Sequence, residues 1–163
     1  MAESMDQAER SLEGKYLTFS LNGEDYGVGI LKVREIIGVM PITPVPQTPR
    51  FVKGVINLRG KVIPVIDLRL RFGMEPEDYT DRTCIVVAEV KNENGSMMMG
   101  VSVDSVSEVA HIKANEIENA PSFGVALSTD YILGMAKKET AVSILLDIDK
   151  VLTTEELSLL GTN

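Results

Sequence analysis

A single arginine, Arg59, stands in a polar turn between two apolar segments. The turn runs from Asn57 to Gly60, and valine and isoleucine dominate both flanks, 55–56 and 62–68, as is typical of strands. A strand, a tight glycine-containing turn and a second strand predict a hairpin with Arg59 near its tip. Because a guanidinium pairs bidentately and is enriched at interface hot spots, Arg59 is a candidate recognition residue. The alternative is a solvated surface charge.

The other reactive side chains give little support for catalysis. Asp67 and Asp147 could act as general acid and base, but each ends a predicted strand, where an aspartate often caps a turn or a helix. We prefer this structural interpretation. His111 and Cys84 are the only residues of their types, so we expect no histidine-based metal cluster and no intrachain disulfide. The spacings of calcium loops and phosphate-binding glycine loops are also missing, so the sequence predicts no catalytic residues, no metal and no cofactor.

The composition restricts the class of protein further. Of the 163 residues, 44% are hydrophobic, which is enough for a folded core. A net charge of −8 disfavours binding to nucleic acid and to anionic membrane surfaces. No apolar run approaches the roughly 20 residues of a membrane-spanning helix, and the polar segment 1–10 is not typical of a signal peptide. We therefore expect a cytoplasmic protein.

Two pairs of segments indicate an internal duplication. Residues 27–36 parallel residues 100–109 with an offset of 73, and residues 63–68 parallel residues 143–148 with an offset of 80. The difference of seven residues places an insertion within 119–133. One such pair could match by chance, but two pairs in the same order favour a duplicated unit. The sequence therefore predicts two similar small β-barrels related by an approximate twofold axis.

Alternation and turn residues outline the elements within this duplication. Asn22-Gly23 predicts a hairpin, residues 30–37 suit a helical turn that continues into a strand, and residues 41–49 contain four prolines and predict a loop. Thr153 and Glu156 have the spacing of a capping box at a C-terminal helix. The predicted division is a flexible N-terminus (1–14), a first barrel (15–80), a second barrel (81–152), and a C-terminal helix and tail (153–163).

Several segments resemble the CheW family of chemotaxis coupling proteins. The segments are 26–36, 51–69, 127–134 and 145–152, and the resemblance covers about residues 15–160. It implies an all-β fold of two SH3-like, five-stranded barrels with short helices and a C-terminal helix. It also implies a non-enzymatic scaffold that couples the cytoplasmic tips of methyl-accepting chemoreceptors to the regulatory domain of the histidine kinase CheA. The scaffold would be recruited to membrane-associated receptor arrays without inserting into the membrane.

The resemblance also implies binding residues, position by position. The positions that match receptor contacts are Val33, Glu35, Asn57, Leu58, Arg59 and, in the second barrel, Val109. Ile42 and Asp67 are weaker matches for a contact with CheA. The resemblance also places the receptor tip in a groove between the two barrels. Glu35 is exposed by pattern next to apolar neighbours and flanks the same groove as Arg59. The family usually has an acidic residue where this chain has Gly29, and residues 119–133 have no assignment.

Other functions stay open at this point. The chain could be a CheW-like module of a CheV- or CheA-type protein, a small-molecule-binding protein or a carboxylate-dependent enzyme. No His, Cys or Lys accompanies the two aspartates in a motif, which disfavours the enzyme. A nucleic-acid-binding barrel would need a basic face with aromatic side chains, whereas the chain is acidic and has no Trp.

Overall fold

The structure of the chain is a computed structural model, which describes residues 12–93, 95–119 and 130–160. Most of the predicted insertion region, 119–133, lies outside the described residues. Within these ranges eleven strands form two sheets. No helix in the described ranges is long and apolar enough to cross a bilayer. The elements are β1 (Gly14–Leu21), β2 (Glu24–Gly29), β3 (Val33–Gly38), β4 (Val52–Leu58), β5 (Lys61–Asp67), α1 (Leu68–Arg71), β6 (Cys84–Asn92), β7 (Gly95–Val103), β8 (Ser105–Ile112), β9 (Ile117–Glu118), β10 (Ile132–Lys138), β11 (Ala141–Leu146) and α2 (Thr154–Leu160), with 3-10 turns at Ile30–Lys32, Ala114–Glu116 and Ile148–Lys150.

Each sheet combines strands from both halves of the chain. Sheet A has the order β8-β1-β2-β11-β10-β9, and sheet B has the order β3-β6-β7-β5-β4. The first hairpin of each half, β1–β2 or β6–β7, therefore lies in the sheet formed by the later strands of the other half. The predicted boundary between residues 80 and 81 does not separate the barrels, because strands from both sides of it pair within each sheet. Each exchanged hairpin is held by one parallel pair, β2–β11 or β5–β7, and by one antiparallel pair, β1–β8 or β3–β6. Local sequence patterns do not reveal these long-range pairs.

The strand registers confirm the predicted duplication. In sheet B Val65 lies opposite Gly100, and in sheet A Leu145 lies opposite Gly27, which are the same positions shifted by the two offsets. Segments 27–36 and 100–109 occupy equivalent places, since each leaves a hairpin, crosses to the other sheet and forms that sheet's edge strand. The fold is thus two β-barrels related by a pseudo-twofold axis.

A shared core joins the two barrels. The largest apolar cluster combines buried side chains of both sheets, among them Leu17 and Phe19 of β1 with Val86 and Ala88 of β6. Smaller clusters lie inside each sheet, one with Leu145 and its neighbours and the other with Ile56, Val65 and theirs. Because the shared cluster is the largest, most of the buried apolar residues join the two sheets.

Several local predictions are confirmed. Asn22 and Gly23 have positive φ values of 55° and 81°, as a type I′ hairpin turn requires. Residues 30–37 separate into a 3-10 turn and strand β3. At the start of α2 the Thr153 hydroxyl accepts from the Glu156 N–H at 3.1 Å, and the Glu156 carboxylate accepts from the Thr153 N–H at 2.8 Å. This capping box fixes the start of the C-terminal helix.

Candidate functional site

Arg59 occupies the tip of the β4–β5 hairpin, as the sequence predicts. Its φ of 51° and the φ of 88° at Gly60 give the turn two consecutive left-handed residues, which matches the twist of the flanking strands. The Asn57 Oδ1 atom accepts from the Gly60 N–H at 2.8 Å and closes the turn. Leu58 packs against the core inside sheet B. The hairpin tip is therefore anchored from below while the Arg59 side chain is 70% exposed.

The guanidinium of Arg59 is held by Glu35 of strand β3. One nitrogen donates to the Glu35 Oε2 atom at 2.9 Å and the other donates to Oε1. The bond from Arg59, more than its charge, lowers the pKa of the Glu35 carboxyl below its ordinary value. The same contact raises the pKa of Arg59. The pair therefore stays ionised at neutral pH and holds the hairpin tip against β3.

Strand β3 presents Glu35 on its partly buried side. Along β3 the partly buried residues Val33, Glu35 and Ile37 alternate with exposed ones, as the period of two in a strand requires. Val33 packs against the shared core. Strands β3 and β4 are the two ends of the strand order of sheet B, and the ion pair joins β3 to the hairpin tip. We call the residues on the two sides of this contact the tip surface (Val33, Glu35, Asn57, Leu58 and Arg59).

Val109 lies elsewhere in the molecule. It is 49% exposed on β8 of sheet A and pairs with Leu17 of β1. In the described ranges no hydrogen bond joins it to the ion pair of the tip surface. In the duplication it corresponds to Ile36, which is 43% exposed. The structure therefore brings together five of the six predicted receptor-binding residues and leaves Val109 as a separate apolar position.

The two predicted kinase-binding residues are largely enclosed. Ile42 is half-buried and packs against the core of sheet B. Asp67 is only 3% exposed, and its oxygens accept from the Leu70 N–H at 3.2 Å and from the Tyr79 hydroxyl at 3.0 Å. Burial raises the pKa of Tyr79, so its hydroxyl stays protonated and can donate to Asp67. The carboxylate caps α1, as the structural interpretation predicts.

Asp147, the repeat counterpart of Asp67, also caps a turn. Its Oδ1 atom accepts from the Asp149 N–H at 3.1 Å at the start of a 3-10 turn. Among the described residues no group of three His, Cys, Asp or Glu side chains could hold a metal ion. Each aspartate therefore has a structural role in its own barrel, and the two carboxylates do not form a pair.

Sequence reasoning missed the exposed apolar residues around the tip surface. Leu31 is 85% exposed in the 3-10 turn before β3, and Val62 is 71% exposed on β5. The duplication gives a signal for Val62, because its counterpart Val142 is also exposed at 48%. An apolar residue that stays exposed in both copies is consistent with a role in recognition. Leu31 has no such signal, since its counterpart is Asp104.

The chain is similar to known proteins along most of its length, across both sheets. The family model of the CheW-like domain matches residues 15–156. The chain is 41% identical over 145 residues to the chemotaxis protein CheW of Klebsiella aerogenes, covering 89% of this chain and 85% of that protein. It is 34% identical over 149 residues to the chemotaxis protein CheW of Bacillus subtilis, covering 91% and 92%. The crystal structure of the scaffolding protein TtCheW from Thermoanaerobacter tengcongensis is similar with a TM-score of 0.76 and 35% identity, covering 89% of this chain and 97% of that one.

Proposed function

The chain belongs to the CheW family of chemotaxis scaffolds, and we propose that it couples methyl-accepting chemoreceptors to the histidine kinase CheA. In this proposal the tip surface contacts the helical cytoplasmic tip of a receptor, and Val109 adds an apolar contact from the second barrel. The coupling needs no catalysis, metal or cofactor. It takes place in the cytoplasm at membrane-associated receptor arrays, because the receptor tips lie there.

The observation that carries this proposal is the ion pair between Arg59 and Glu35. Two of the five N–H donors of the guanidinium contact Glu35, and no other described residue takes the remaining donors. The contact therefore holds the guanidinium beside Glu35 and leaves donors for a partner. Such preorganisation reduces the entropy lost on binding, which favours recognition over the alternative of a freely solvated charge.

The proposed kinase contact is of a different kind. Ile42 and Asp67 are enclosed by their own barrel, so we propose that they support a CheA-binding surface at the end of sheet B by fixing its backbone. Asp67 does so through the cap of α1, and Ile42 does so where the Pro-rich loop meets β4. Direct contact with the kinase is then made by the exposed backbone and side chains around them.

Replacement of Arg59 tests the receptor contact. We expect Arg59→Ala to weaken binding of a chemoreceptor cytoplasmic fragment by roughly tenfold or more and to leave binding of the CheA regulatory domain unchanged. Isothermal titration calorimetry with each partner gives both affinities. Thermal unfolding should be unchanged, because exposed tip residues contribute little to stability.

The matched control is Glu139→Ala. Glu139 occupies the same turn position in the second barrel and also has a positive φ, 40°, so it reproduces the change in backbone preference without touching the tip surface. We expect both affinities of this variant to equal those of the wild type. An Arg59→Ala protein that is folded and binds the receptor fragment with wild-type affinity would show that the tip surface is misassigned.

A further inference from the structure

An ion pair with a shared carboxylate joins the two sheets at the β1–β2 turn. Arg69 of α1, which follows β5 of sheet B, donates to both Asp104 oxygens at 2.8 and 2.7 Å. The Asp104 Oδ2 atom also accepts from the Asn22 N–H at 2.8 Å, in the β1–β2 turn of sheet A. Burial would raise the pKa of Asp104, but Arg69 and the Asn22 N–H hold it below its ordinary value. We call this set the first clasp (Arg69, Asp104 and Asn22).

A second ion pair with a shared carboxylate also joins the two sheets. Lys32 lies in the crossover from β2 to β3. Its Nζ atom is 2.9 Å from the Asp149 Oδ1 atom. Asp149 belongs to the 3-10 turn after β11 of sheet A. The same carboxylate accepts from the Lys91 N–H at 2.8 Å, at the end of β6 in sheet B. We call this set the second clasp (Lys32, Asp149 and Lys91).

The duplication relates two of the three positions in each clasp, and the charges of the two ion pairs are inverted. Arg69 and Asp149 differ by the offset of 80. Asn22 and Lys91 differ by 69, which is the shift that brings β1 onto β6, since Leu17 lies opposite Val28 and Val86 lies opposite Val101. Lys32 and Asp104 differ by 72, so these two crossover residues lie one position away from being counterparts. In the first clasp the acid lies in the crossover and the cation follows the last strand of the repeat. In the second clasp the cation lies in the crossover and the acid follows the last strand. In both, one carboxylate accepts from a cation and from a backbone N–H, and the contacts connect an element of sheet A with an element of sheet B.

We propose that these two clasps set the angle between the barrels, and that Arg69, Asp104, Lys32 and Asp149 are thereby positioning residues for partners that contact both barrels. The shared core supplies most of the attraction between the sheets, but apolar burial is non-directional. Ion pairs with two or three directed bonds are sensitive to angle and distance, so they can select one arrangement that the core alone would leave loosely defined.

The positions of the clasps support this role. Lys32 immediately precedes Val33 at the start of β3, and Asp104 immediately precedes β8, the strand that carries Val109. Each clasp therefore fixes the first residue of an edge strand that carries part of the proposed receptor contact. The effect on coupling rests on the proposed function, whereas the effect on the angle between the barrels does not.

The angle can be measured on the free chain. Paired spin labels at Lys61→Cys and Ala141→Cys, in a Cys84→Ala background, would report the distance between equivalent exposed positions of the two barrels. We expect Lys32→Ala, Asp104→Asn and above all their combination to broaden or shift the distance distribution. Lys32→Arg should restore it, because the cation remains. Lys137→Ala is the matched control, since it breaks an ion pair with Glu118 inside sheet A.

Receptor affinity, measured on the same variants, tests the effect on coupling. We expect the double variant to bind the chemoreceptor fragment at least severalfold more weakly, with Lys32→Arg close to the wild type and thermal unfolding showing a folded chain. An unchanged distance distribution in the folded Lys32→Ala chain and in the double variant would contradict the proposal that the clasps set the angle between the barrels. A changed distribution with unchanged affinity would overturn the positioning role. A wild-type chain that binds no receptor fragment would overturn the proposed function and, with it, the role of the clasps in coupling. The measured distances would still show whether the clasps set the angle between the barrels.

Discussion

Arg59 holds a left-handed backbone at a hairpin tip and gives two donors to Glu35. The turn residues were enough to predict the tip and its exposure. The sequence pattern also placed Glu35 beside the same groove. It did not predict the bidentate ion pair, because that contact depends on how β3 approaches the β4–β5 hairpin across a closed barrel. For Asp67, the place at a strand end was enough to predict that the carboxylate caps the next element. Its hydrogen bond from the Tyr79 hydroxyl could not be predicted from the sequence.

The titration of Glu35 tests the ion pair at the residue scale. The hydrogen bond from Arg59 lowers the pKa of Glu35, so in the wild type its carboxyl carbon should titrate below the ordinary value of about 4.3. In Arg59→Ala it should return towards that value. Because the pKa is lowered in the folded chain, the contribution of the pair to stability is complete above the ordinary value and is lost as pH falls through the folded one. Equal titration curves in the two proteins, followed by NMR, would mean that the pair does not persist in solution.

At the scale of elements, short-range sequence signals predicted the hairpins, the Pro-rich loop and the cap of the C-terminal helix. They did not predict features that depend on tertiary contacts. Residues 30–37 suited both a helical turn and a strand, and both form, because the turn Ile30–Lys32 carries the chain from sheet A to sheet B. The glycines also depend on tertiary contacts. Gly54 has a φ of 144°, and a Cβ there would lie 2.1 Å from the Thr43 carbonyl oxygen. The Pro-rich loop crosses β4 at this point, which sequence alone does not show.

Gly54→Ala should therefore destabilise the chain strongly. The added methyl group meets backbone that cannot move without breaking the bonds between Thr43 and Val55, both shorter than 3 Å. We expect a loss of about 2–4 kcal/mol in the free energy of unfolding, measured by urea denaturation. Gly38→Ala is the matched control, because Gly38 ends β3 and a methyl group added there would have nothing within 4 Å. Equal stabilities for the two variants would contradict the close approach of the loop.

At the scale of the whole molecule, the duplication was readable from sequence and the exchange of hairpins was not. The offsets of the repeat compare each half with the other, and they are the same whether a hairpin packs on its own half or on the opposite one. The pairs that distinguish the two arrangements join strands distant in sequence: the parallel pairs β2–β11 and β5–β7 and the antiparallel pairs β1–β8 and β3–β6. The exchange also explains why the largest apolar cluster draws on both sheets: each half provides strands that the other needs.

The exchange predicts that neither half folds alone. In a fragment of residues 1–80 the β1–β2 hairpin lacks β8 and β11, and strands β3–β5 lack β6 and β7. A lone two-stranded hairpin is at best marginally stable, and the shared core is divided between the fragments. We therefore expect residues 1–80 and residues 81–163 each to show no cooperative thermal transition as dilute monomers, and their mixture to recover the circular dichroism spectrum and a single transition of the intact chain. The intact chain, diluted to the same concentration, is the control for recovery. A cooperative transition in monomeric 1–80 would mean that each barrel can be completed within its own half, and that the strand exchange is not required for folding.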